Sequence, residues 1–140
     1  MNNITRETDN IVLKSMKGAL IKRYTSSSGQ LPIIEDSECT NSKGDEGYAL
    51  SIKAYGGIPE TLKPVPSQEL IRVLRAGFKA MGFDAMQMGL ERRDNSESKA
   101  VFVVSKGLLQ AISLKIGFDG DSHTLINFSD AVTQAKKTSR

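Results

Sequence analysis

One hundred and forty residues, 39% of them hydrophobic and 25% charged, describe a single ordinary globular domain and exclude a disordered chain. A lone cysteine, Cys39, excludes an intramolecular disulfide and a multi-cysteine zinc site. The formal net charge of +3 is a mild bias that permits an anionic partner without requiring one.

That bias is uneven along the chain: residues 36–66 carry three basic and five acidic groups, whereas residues 67–140 carry eleven and eight. Residues 1–10 are polar and predict a flexible segment, without the basic start and apolar run of a secretory signal. No stretch approaches the ~20 apolar residues that cross a bilayer. These features predict a cytoplasmic protein with no membrane contact, although a polar N-terminus also suits export by a specialised secretion machine.

Asp9 or Asn10 caps a predicted helix from Ile11 to Tyr24, in which Leu13, Met16, Leu20 and Tyr24 share one stripe. Gly18 weakens it by ~1 kcal/mol relative to Ala, so packing has to hold it. Leu31 to Glu35 predicts a short strand, and the acidic, turn-rich Asp36–Gly47 a loop. Tyr48, Leu50, Ile52 and Ala54 alternate with Ala49, Ser51, Lys53 and Tyr55, the period of a half-buried strand. Pro59, Pro64 and Pro66 predict an irregular connector. Ser67 then caps a helix from Gln68 to Met81 with Leu70, Val73, Leu74, Phe78 and Met81 on its apolar stripe. Gly82 stands where a left-handed C-cap is wanted, with Phe83 placed for the accompanying hydrophobic contact.

The rest reads as strands. Met86, Met88 and Leu90 alternate; Asp94 to Ser98 turns; Ala100 to Val104 is apolar on both faces, as in a central strand. Lys106-Gly107 predicts a hairpin turn. Ile112, Leu114, Ile116 and Phe118 alternate again, Asp119 to Ser122 turns, and His123 to Phe128 predicts a last strand. Ser129 or Asp130 begins a short helix ending at Lys136-Lys137, which closes a single domain over 11–137 and leaves 138–140 as a basic tail. This order predicts an α+β two-layer sandwich: an antiparallel meander sheet with two main helices on one face and a short C-terminal helix.

Three surfaces are candidates for function. At about 100° per residue, Gln68, Arg72, Arg75 and Lys79 fall in one wedge opposite the apolar stripe, with Glu69 pointing elsewhere. Such a cationic stripe suits successive phosphates or an acidic partner, and equally an ordinary solvated helix face. Arg92 and Arg93 mark the strand end beside the Asp94–Ser98 turn, a basic tip that Asp94 and Glu97 partly neutralise. The sheet face away from the helices is expected to be open, with Lys53, Tyr55 and Lys115 among Ser51, Gln87, Gly89 and Ser113. Nucleic acid or a second copy would lie flat there, though base stacking calls for more than one aromatic.

Chemistry is poorly served. His123 is the sole histidine, and its neighbour Ser122 points to the opposite face of any strand they share. Cys39 lies in an acidic stretch that disfavours its thiolate. Asp119 and Asp121 flank a glycine as in a calcium loop, but the later ligands are missing. Met81, Met86 and Met88 read as core fillers. The sequence thus predicts no catalytic set, no metal and no cofactor. Its leading expectation is a small non-enzymatic protein that binds a protein partner and self-associates. The alternative is nucleic-acid binding through Arg72, Arg75 and Lys79, helped by Arg92, Arg93 and the Lys136-Lys137 tail. An enzyme using His123 or Cys39 is a weak third.

Overall fold

A computed structural model of the chain describes residues 3–94, 100–119 and 123–135. In chain order these form α1 (Asn3–Tyr24), β1 (Ile33–Thr40), β2 (Glu46–Gly56), β3 (Thr61–Pro64), α2 (Ser67–Ala80), α3 (Ala85–Met88), β4 (Leu90–Asp94), β5 (Ala100–Ser105), α4 (Lys106–Asp119) and α5 (His123–Gln134). The fold is α+β, with the strands in one open antiparallel sheet ordered β1-β2-β5-β4. Lys53 pairs with Ile33 of β1 and Pro64 of β3, so β3 lies on the edge of β2 that also holds β5.

The register sorts the side chains. Leu50 and Phe102 are direct partners, as are Leu90 and Val104, and with Ile52 they form the buried floor under the helices. Over that floor, α2 touches β4 and β5, α4 touches β2 and β5, and α5 wedges against α1, α2 and α4. Leu13, Met16 and Leu20 of α1 and Leu70, Val73, Leu74 and Phe78 of α2 all turn into the shared core. Phe78 meets Phe128 of α5 with ring centroids 5.0 Å apart. Backbones approach closely where β2 meets β5: a Cβ on Gly47 would stand 2.3 Å from the Val104 carbonyl oxygen, so only glycine fits that seam.

The helix expected from Gln68 is present one residue longer at its start, with Pro66 rather than Ser67 as the capping residue. Its end follows the expectation: Gly82 has φ +90, its N–H donates to the Lys79 carbonyl (2.9 Å), and the Phe83 N–H donates to that of Phe78 (3.0 Å). Helix α1 begins at Asn3 rather than near Ile11. Asp36 to Thr40, expected as loop, extends β1, and the proline-containing connector holds β3, where Pro64 is the terminal residue. Proline is tolerated at that position because it interrupts no central ladder.

Beyond Asp84 the local assignments change. Residues 85–88 form α3 rather than a strand, and Met86 and Met88 are exposed rather than core. The predicted strand 112–118 is α4, and the predicted strand 123–128 opens α5. Lys106-Gly107 is therefore no hairpin turn but the first turn of α4. Buried Ser105 precedes it, its hydroxyl accepting from the Leu108 N–H (3.1 Å) and donating to the Met88 carbonyl (3.0 Å). The expected Asp94–Ser98 turn, Lys99, Asp121, Ser122, the Lys136-Lys137 pair and the 138–140 tail lie wholly or partly outside the described residues.

Candidate functional site

Helix α2 lies between the core and solvent, and its two faces divide cleanly. Leu70, Val73, Leu74, Gly77 and Phe78 are buried; Arg75 and Lys79 are exposed, and Arg72 is half-buried. Glu69 is drawn away from these cations by α1, where the Tyr24 hydroxyl donates to its carboxylate at 2.6 Å. Burial raises the Tyr24 phenol well above the ordinary tyrosine range, and the bond to Glu69 acts in the same direction.

Where the polar face of α2 runs into the turn before α3, a cavity of about 550 Å3 opens. Arg72, Arg75, Ala76 and Lys79 line it from the helix, and Gly82, Phe83 and Asp84 from the turn. Three cations stand against one carboxylate. Among the described residues none of the four makes an ion pair. Asp84 instead caps α3, accepting from the Gln87 N–H at 3.4 Å.

Arg72 is the unusual member. Its Nε and Nη2 are shut off from solvent and, among the described residues, have no hydrogen-bond partner. Leaving buried donors unmatched costs roughly 1–3 kcal/mol, and because both nitrogens are closed to solvent an acceptor reaches them only when the side chain turns out into the cavity. A guanidinium also offers the donor geometry that grips phosphate oxygens in pairs.

The structure thus gathers Arg72, Arg75 and Lys79 and separates the other two expected cations from them. Arg92 lines a smaller cavity of about 240 Å3, with Asn41, Asp45, Met86 and Met88 among its walls. Arg93 is turned to the opposite face of the sheet, donating to the Thr40 carbonyl (3.0 Å) and pairing with Glu91 (3.1 Å). The Ser42 N–H and hydroxyl also reach Glu91, at 3.1 and 2.6 Å. The Ser42 hydroxyl bond, ahead of the charge of Arg93, holds the Glu91 carboxyl below the ordinary glutamate range.

Those bonds correct the expectation of an open sheet face. Glu91, Arg93 and Val103 share the face away from the helices, and the β1–β2 turn is tied over it. Val103 is 0% exposed although it stands outside the main core, and Ser51 and Ser105 are buried on the same face. Lys53 and Tyr55 do lie on that face, half-buried, towards its other end. Lys115 does not. It is exposed on α4, lining a cavity of about 450 Å3 with His123, Thr124 and Asn127 of α5 and Ala80 to Gly82. Cys39 sits on β1, so the two weakest catalytic candidates belong to different parts of the molecule.

A further polar cavity, of about 530 Å3, lies where α1, α5 and the end of β2 meet, lined in part by Arg23, Tyr24, Tyr55, Glu60 and Glu69. No pattern in the sequence linked these residues. Among the described residues no group of three or more His, Cys, Asp or Glu side chains is placed to hold a metal. No helix there is long and apolar enough to cross a membrane.

The chain matches no known protein-family model, no curated protein sequence and no solved structure.

Proposed function

We propose that this protein is a non-enzymatic binding protein whose working surface is the cationic cavity on α2 and whose partner is nucleic acid, held by its phosphates. The observation that carries this reading is the cavity lining, in which Arg72, Arg75 and Lys79 face the single carboxylate of Asp84 and, among the described residues, none of the four makes an ion pair. Arg72 and Lys79 are seven residues apart on one helix, about 10 Å along its axis, enough to face more than one phosphate.

The test is fluorescence anisotropy of labelled oligonucleotides across a salt series, on wild type and on Arg72→Glu/Arg75→Glu. Wild-type affinity should fall steeply with salt, and the double reversal should abolish binding without lowering Tm. Binding that ignores salt, or that survives the reversal, would end this reading.

A second reading, contact with a protein partner and self-association, has its own support. Ile33, on the outer face of β1, is 44% exposed, Leu31 just before that strand is 61% exposed, and Ile58 in the β2–β3 turn is fully exposed. Contiguous exposed apolar residues mark contact surfaces. Sedimentation over a concentration series decides: association abolished by Ile33→Glu supports it, and a monomer at every concentration sinks it.

A further inference from the structure

The cavity on α2 is bipolar, and that polarity constrains the ligand. One wall offers the donors of Arg72, Arg75 and Lys79; the other, from the α2–α3 turn, offers the Asp84 carboxylate. Asp84 neutralises none of the cations, so its oxygens stay available as acceptors beyond their contact with the Gln87 N–H. Ala76 and the half-buried ring of Phe83 add apolar wall.

A bare phosphate satisfies the cations but sets its own charge against Asp84. A duplex presents its phosphates on a convex surface while its base donors are already paired. A nucleotide with an unpaired base complements this cavity: an anion for the cations, neighbouring hydroxyl or amino donors for Asp84, and a flat apolar surface for Ala76 and Phe83. The volume lies within the roughly 300–1,000 Å3 span of small-ligand sites.

We infer that the cavity takes a single unpaired nucleotide, its phosphate on Arg72, Arg75 and Lys79 and its hydrogen-bond donors on Asp84. This rests on the reading that the cationic face binds phosphates. The nucleotide is supplied either by a single strand or as a free nucleoside phosphate, and one experiment separates these sources.

The 140-residue chain is titrated with a single-stranded oligonucleotide, the matching duplex, a nucleoside monophosphate and inorganic phosphate. The variants are Asp84→Asn and Arg72→Glu/Arg75→Glu. Asparagine caps helices as well as aspartate does, so Asp84→Asn keeps α3 in place. The single strand should bind about tenfold or more tighter than the duplex, and the monophosphate tighter than inorganic phosphate, the scale of one charged hydrogen bond. Asp84→Asn should erase the preference for the monophosphate while leaving inorganic phosphate bound at least as well. A monophosphate that matches the oligonucleotide identifies a free-nucleotide site; an oligonucleotide that far exceeds it identifies a strand. If single strand and duplex bind alike, Asp84→Asn changes nothing and the arginine reversal abolishes both, the phosphate reading stands and this inference falls. If no phosphate compound binds at all, both fall.

Discussion

At the junction of α1 and α5, Arg23 is half-buried with its Nε and Nη2 shut off from solvent and, among the described residues, unpartnered. Its Nη1 donates to the carbonyls of Val132 (2.8 Å), Thr133 (3.4 Å) and Ala135 (2.9 Å), closing the C-terminal end of α5. On α2, Arg72 is half-buried in the same manner, with the same two nitrogens shut off, and among the described residues no acceptor meets it. The two regions show what a half-sunken guanidinium can do. Beside the exposed carbonyls of a helix end it joins elements and opposes the helix dipole. Beside a cavity whose one carboxylate, Asp84, does not reach its buried nitrogens, it costs the fold stability.

The difference can be broken most decisively by charge. Arg72→Glu/Arg75→Glu should weaken oligonucleotide binding by about 100-fold or more, while Arg72→Met should leave Tm unchanged or raise it by removing unmatched donors. A marked fall in Tm for Arg72→Met would place Arg72 in the same class as Arg23. Next in size, Arg23→Ala should cost about 1–2 kcal/mol in chemical denaturation and leave nucleic-acid affinity intact. Equal losses of binding from Arg23→Ala and Arg72→Ala would erase the distinction.

Smaller effects sharpen it. A Cβ on Gly77 would stand 2.7 Å from both Phe128 Cε1 and Val132 Cγ2, so Gly77→Ala strains the α2–α5 contact. Overpacking of about 1–3 kcal/mol, offset by ~1 kcal/mol of helix propensity, should leave a net loss of about 1 kcal/mol, measurable in urea. Binding should hardly change, because the cavity lies on the other face of α2. Least of all is the pH effect at Glu91. Its folded pKa is depressed, so its contribution is present above the ordinary glutamate range and is lost as pH falls through the lowered value. Carbon-detected titration should find the Glu91 midpoint rising towards the ordinary range in Ser42→Ala; an unmoved midpoint would deny the turn-to-β4 tie its assigned cause.

How far the sequence could be read depended on whether two periods competed. In α2 the helical stripe, the glycine stop and the following Phe83 agreed, and the cationic wedge that followed from them lines a real cavity. In α4, Leu108, Leu109, Ile112 and Ile116 mark a helical face, yet Ile112, Leu114, Ile116 and Phe118 also alternate as a strand would. Leu114, 70% exposed, shows that the alternation was incidental. The deciding signal was Ser105, an N-cap standing immediately before the apolar helical spacing and readable from the chain. In α5, buried Thr124, Phe128 and Val132 recur every four residues, but a threonine in the stripe obscures it. The bipolar character of the cavity was not legible. Asp84 joins the cations only because the Gly82 turn folds back beside α2, and nothing in the local pattern measures that return.

One seam in the sheet bears on how the chain finds this structure. β2 meets β1 and β3 through short connections, and β4 meets β5 likewise, whereas the β2–β5 pairing joins segments separated by α2 and α3. Closing that long loop carries an entropic cost that the hairpins avoid. The three-stranded unit around β2 is therefore expected to be ordered in the folding transition state before β5 docks, with φ-values high for Ile34→Val and low for Phe102→Leu; the reverse ranking would refute that order. A molecule assembled in this sequence acquires its cavity late, since the helix that carries the cations settles on β4 and β5, the last part of the sheet to arrive.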